Sequence, residues 1–117
     1  MAIFVTWRGA SGQSYIFETF PNGTPFNEVS GVYIFCRPLS SGNWEALYVG
    51  ETQSFRQRLN TSVRSHDGYS RSVYFGMSHV GALVVEGDAE RLRIETDLRH
   101  GLNPPANAQN ALGGYRQ

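Results

Sequence analysis

The segment DAERLRIETDLRHGL, running into NPPAN, is the one stretch periodic over several helical turns, and it limits what the rest of the chain can build. Asp88 stands where a capping residue belongs, and Pro104 and Pro105 cannot continue a helix. Everything before it is cut into short apolar pieces. AIFVTWRG and SYIFETF flank ASGQ and read as a hairpin of two alternating strands. PNGTPFNEVSG lacks periodicity and reads as a loop. GVYIFCR and EALYVG follow as third and fourth strands, and HVGALVV is a further β-branched run. SFRQRLNTSV is expected to be a helix capped by Ser54, with Phe55, Leu59 and Val63 on one face, and a shorter helix is expected over YSRSVYFGM. Strands and helices alternate only in part. The expected class is therefore α+β: a small, mainly antiparallel sheet flanked by helices, with an added N-terminal hairpin.

The chain of 117 residues has room for one core. Within a single domain, residues 1–29 are expected to form the hairpin and its loop, 30–107 the main core and 108–117 a tail. An apolar share of 40% is that of a globular protein. No run is long and apolar enough for a membrane span, and MAIFVTWRG lacks the pattern of a signal peptide, so a soluble, cytoplasmic protein without membrane association is expected. Cys36 is the only cysteine, which excludes an internal disulfide and a Cys-based metal cage. It is read as a small buried hydrophobe.

Charge is balanced in sum and uneven along the chain. Ten basic residues, all Arg, face ten acids. That balance argues against strong nonspecific DNA affinity, which comes from neutralising phosphates. Between Thr52 and Gly81, however, Arg56, Arg58, Arg64 and Arg71 are opposed by Asp67 alone, so one face is expected to be basic.

A second constraint comes from the last helix. At about 100° per residue, Ile94, Leu98, Leu102 and Leu92 share an arc of about 160°, and Glu95 falls inside it. A carboxylate taken out of water costs several kcal/mol unless it is paired or binds a metal. Three partners are open to Glu95: an Arg, water at the core's edge, or a divalent ion. A hard ion such as Mg²⁺ is often held by one or two carboxylates plus substrate phosphate.

GVY at Gly31 to Tyr33 and YVG at Tyr48 to Gly50, followed by an Arg-bearing helix, resemble the GIY-YIG nuclease superfamily. Arg58, ten residues after Tyr48, matches the family's catalytic Arg, and Glu95, Leu98, Pro104 and Asn107 match its closing pattern. The resemblance covers about Ser30 to Asn107. It implies Mg²⁺- or Mn²⁺-dependent hydrolysis of a phosphodiester in DNA, with Tyr33, Tyr48, Arg58 and Glu95 in the active site and Glu95 holding the ion. His66 is similar in place to a His that some members use as a proton shuttle, although a surface loop position is the plainer reading of its polar surroundings. His79 and His100 read as structural.

Gly31 and Gly50 are expected to let a phosphate approach the backbone, and Arg56 to contact it. Asn107 is either a substrate contact or a lock on the C-terminal turn. Glu51 follows YVG where repair members of the family often carry Lys; an acid there either repels phosphate or helps hold the ion. Many family nucleases attach a separate DNA-binding domain, so target choice here is expected to fall to the hairpin, DNA shape, a partner protein or a homo-oligomer. The rival expectations are a noncatalytic nucleic-acid- or protein-binding module that keeps the fold, and an oligomerisation domain built through the hairpin's edge.

Overall fold

The structure, a computed structural model, describes residues 1–107, so the expected tail at 108–117 lies outside the described residues. Five strands, β1 (Ile3–Arg8), β2 (Ser14–Pro21), β3 (Gly31–Pro38), β4 (Trp44–Thr52) and β5 (His79–Val84), form one sheet in the order β1-β2-β5-β3-β4. Every pairing is antiparallel. The α+β reading of the sequence is the architecture observed. Both hairpin turns need a backbone that L-residues rarely adopt, and each has Gly there: Gly12 at φ 91° and Gly42 at φ 93°.

The strand patterns follow from position in the sheet. β3 is central, with β4 and β5 at its edges and a packed cluster over each face, so Gly31 to Cys36 are buried without alternation. β1 and β2 cover one face only, burying Val5, Trp7, Tyr15 and Phe17 while Phe4 and Ile16 stay exposed. The sheet thus carries a cluster on each side. One joins Val5, Trp7, Tyr15, Phe17, Val32, Ile34 and Val49 to Ile94 and Leu98 of α2 (Asp88–Leu102). The other gathers Tyr33, Phe35, Leu47, Phe55, Leu59, Met77 and Val80. The N-terminal hairpin belongs to the first of these cores. Its turn is fastened to α2, where Asp97 accepts hydrogen bonds from the Ser11 backbone N–H and hydroxyl, both 2.8 Å, and from the Tyr15 hydroxyl at 2.7 Å.

The helices depart from the sequence reading in instructive ways. Ser54 accepts from the Gln57 N–H at 3.1 Å, as a cap would, but a π turn over Gln57–Thr61 and a 3₁₀ turn over Val63–Ser65 replace the expected regular helix. A distant contact accompanies the change: the Asn60 side chain accepts from the Phe26 N–H at 2.8 Å and donates to the Thr24 carbonyl at 3.0 Å, tying this turn to the 22–30 loop. α1 (Asp67–Tyr74) starts before the expected Tyr69, because His66 caps it by accepting from the Tyr69 N–H. α2 has the expected extent, but Gly87 occupies the cap position, and Asp88, in the first turn, pairs with Arg91. Among the described residues no helix is long and apolar enough to cross a membrane.

Candidate active site

Tyr33 and Tyr48 lie on the same face of the sheet. Val32 and Ile34 point to the α2 side, which sends Tyr33 to the opposite cluster. Tyr48 joins that cluster by pairing directly with Phe35; just beyond, the register shifts and Cys36 stands opposite Ala46, so Leu47 is an extra residue in β4. Simple alternation would have sent Leu47 to the other side; the bulge puts it beside Tyr48 in one cluster. The phenol rings stack at 6.1 Å and 25°.

His66 completes this group. It is 1% exposed, and its Nε2 lies 2.7 Å from the Tyr33 hydroxyl oxygen. Because Nδ1 accepts the Tyr69 N–H at 3.3 Å, the neutral ring carries its proton on Nε2 and donates to Tyr33. The surface-loop reading of His66 is therefore corrected. The Tyr48 ring and His66 Cε1 close over Gly68, where a side chain would collide with both.

The electrostatics follow from burial and two guanidinium groups. Burial, and secondarily the neighbouring Tyr48, raises the Tyr33 pKa, while Arg58 opposes the rise. Burial also raises that of Tyr48, against the pull of Arg58, Arg71 and the Tyr33 hydroxyl, with Glu95 adding to the rise. Burial first, then Arg58 and Arg71, lowers His66 to about 4. Arg58 thus acts on all three rings. On a regular helix Arg58 would lie about 100° from the Phe55, Leu59 and Val63 face, but the chain runs through a π turn here and Arg58 is half-buried beside the phenols.

Glu95 finds its first partner one turn on. Arg99 Nε lies 3.1 Å from its carboxylate, with side-chain exposures of 13% for Glu95 and 17% for Arg99. Inside the arc that singled out Glu95 sits a residue the sequence reading missed: Arg91, 4% exposed, bonded to Glu51 at 3.2 Å and to Asp88. Glu51 is therefore tied to α2 by a buried guanidinium. Leu92, expected in the apolar arc, is 57% exposed. Among the described residues no three His, Cys, Asp or Glu side chains gather to hold a metal ion, so Glu95 would be a single hard-oxygen donor. That donor set fits Mg²⁺ where substrate phosphate and water fill the remaining positions.

The contacts bear on four further expectations, revising three and deciding the fourth. A Cβ at Gly50 would come within 2.5 Å of the Tyr33 Cζ and hydroxyl, and one at Gly31 would strike Phe55 and the Leu83 carbonyl. The close approaches at both glycines are made by the protein's own rings and backbone, not left open for a phosphate. Arg56 turns away from the phenols and donates to the Phe26 carbonyl at 3.3 Å. Asn107 is 3% exposed and spends its amide on edge strand β4, accepting from Val49 N–H at 3.0 Å and donating to Val49 C=O at 2.9 Å. It is a lock, not a substrate contact. Asn107→Ala is expected to lower unfolding free energy by about 2–4 kcal/mol in urea titration, because two buried backbone groups lose their partner. Asn107→Asp should cost at least as much at neutral pH, because its carboxylate would be buried with one oxygen against the Val49 carbonyl.

No family model matches the chain, and no curated protein or solved structure matches it.

Proposed function

We propose that the chain is a metal-dependent endonuclease of the GIY-YIG type, hydrolysing a phosphodiester in DNA. The observation that carries the reading is the grouping of two stacked phenols, a buried histidine and the Arg58 guanidinium on one face of the sheet, with Glu95 close enough to act on Tyr48. Attack on a phosphodiester places negative charge on nonbridging and leaving oxygens, and positive charge already in place lowers that barrier. Arg58 holds the phosphate through its planar fork. An ion on Glu95, Mg²⁺ or Mn²⁺, would add Lewis-acid charge at the phosphoryl oxygens.

A water nucleophile also has to lose a proton. Tyr48 is the phenol better suited to receive it: it is half-buried where Tyr33 is 1% exposed, and Arg58, Arg71 and the Tyr33 hydroxyl all favour its phenolate. Tyr33 then acts as a positioning residue, fixed from behind by His66 and turned toward Tyr48. Both phenols are neutral near pH 7, so the rate should climb as pH rises through the alkaline range.

We place the protein in the cytoplasm, where Cys36, buried and pushed up to about 12 by desolvation, stays a thiol. Target choice is assigned to DNA shape, a second copy or a partner protein. A noncatalytic DNA-binding module is the second reading, favoured by the Arg99 guanidinium that already neutralises Glu95. Supercoiled plasmid separates the two. Nicked and linear products are expected with Mg²⁺ or Mn²⁺ and none with excess chelator; no cleavage of plasmid, branched or flapped DNA would favour the binding module.

A further inference from the structure

α1 leads away from the phenols to an aromatic surface that the chemistry above does not use. Tyr74 is 86% exposed and Phe75 40%, with the two rings edge to face at 5.6 Å. With Ser70, Arg71 and Pro105 they line a recess of about 360 Å³. Arg71 joins the two places: its Nε donates to the Ala106 carbonyl at 2.7 Å, which fixes the side chain, and its charge reaches Tyr48 and His66. A group in the recess therefore sits one side chain away from the proposed phosphate site.

We infer that this recess seats an unpaired nucleobase next to the phosphate to be cut, stacking it on Tyr74 or Phe75 while Arg71 meets the adjoining backbone. The inference rests on the nuclease reading for its register and names the substrate class of that site. Aromatic faces beside a basic track bind single-stranded nucleic acid without regard to sequence, since every base has a π face. The charge suits that occupant: Arg71 lines the recess, no acid among the described residues does, and Arg71 shares Tyr48 and His66 with Arg58 on the way to the proposed phosphate site. A base inside a duplex has both faces covered by its neighbours and reaches such a surface only by leaving the stack. The site therefore selects flaps, frayed ends and mismatched or single-stranded stretches over intact duplex.

The test is fluorescence anisotropy with labelled oligonucleotides, single-stranded, flapped and fully paired, under chelation so that nothing is cut. Tyr74→Ala is expected to weaken binding of the unpaired forms about tenfold or more and of the duplex by less than about twofold. Tyr74→Phe should bind like wild type, and the exposed position leaves the fold unaffected in both. Equal loss on paired and unpaired DNA, or no loss on either, overturns the inference, as does a surface that binds no DNA at all. Plasmid nicking by Tyr74→Ala reports separately on the chemistry. Nicking without the Tyr74-dependent preference leaves the nuclease standing and removes the stacking site; the preference without any nicking does the reverse.

Discussion

Replacing Arg58 with Ala is expected to slow plasmid nicking by about 10²–10³-fold while leaving the urea midpoint close to wild type. The size follows from the role: a fixed guanidinium aimed at developing phosphate charge acts mainly in the transition state, and a half-buried side chain outside both apolar clusters contributes little to the fold. Arg58→Lys keeps the charge but not the fork and should recover only part of the rate. Glu95→Ala is expected to lose at least as much. Its ion pair with Arg99 is largely buried, so the substitution also costs stability, and rates are compared at a temperature where the variant is still folded. Initial rates in Mg²⁺, with circular dichroism melts alongside, decide the matter; nicking that survives Glu95→Ala undiminished would remove the proposed chemistry.

How far the sequence carries the reader depends on how local the cause is. α2 was legible at both ends, because its periodicity and the prolines after it act within the segment itself. The strands were legible for the same reason. What escaped was set by distant contacts. His66 is buried because it meets Tyr33, 33 residues away in the chain. Its own neighbours, Ser65 and Asp67, describe only a polar stretch. Likewise the Leu47 bulge and the π turn at Gln57–Thr61 occur where strand pairing and the Asn60 side chain tie the chain to distant segments. Arg91 is a different case, since the helical arc that exposed Glu95 contains it as well. The arc marks Arg91 as buried by the same test, and its partner Glu51, 40 residues away, is what the helix alone does not reveal. The i,i+4 spacing of Glu95 to Arg99 was equally present in the sequence and names the partner that Glu95 has.

His66 also gives the protein an acid limit that can be measured without any substrate. In the folded chain its pKa falls to about 4 from an ordinary 6.5, because burial and the nearby Arg58 and Arg71 disfavour the imidazolium more than Asp67 supports it. Below pH 6.5 the unfolded chain takes up a proton that the folded chain refuses until about pH 4. Stability is thus fully present above the unfolded value and drains away as pH falls through that window, at up to about 1.4 kcal/mol per pH unit and up to about 3 kcal/mol in all. His66→Gln removes the titration. At pH 7 the variant should be less stable by about 1–2 kcal/mol, having a weaker bond to the Tyr33 hydroxyl. The two stabilities should cross between about pH 5 and 6, and near pH 4.5 the variant should be the more stable by about 1 kcal/mol, because wild type alone has taken the full titration loss. Urea titrations at half-unit steps, read as the difference between the two proteins, cancel the carboxylates they share. A difference that stays constant from pH 7 to pH 4.5 would mean that His66 titrates as if exposed, and would undo both its buried neutral state and the hydrogen bond that places Tyr33.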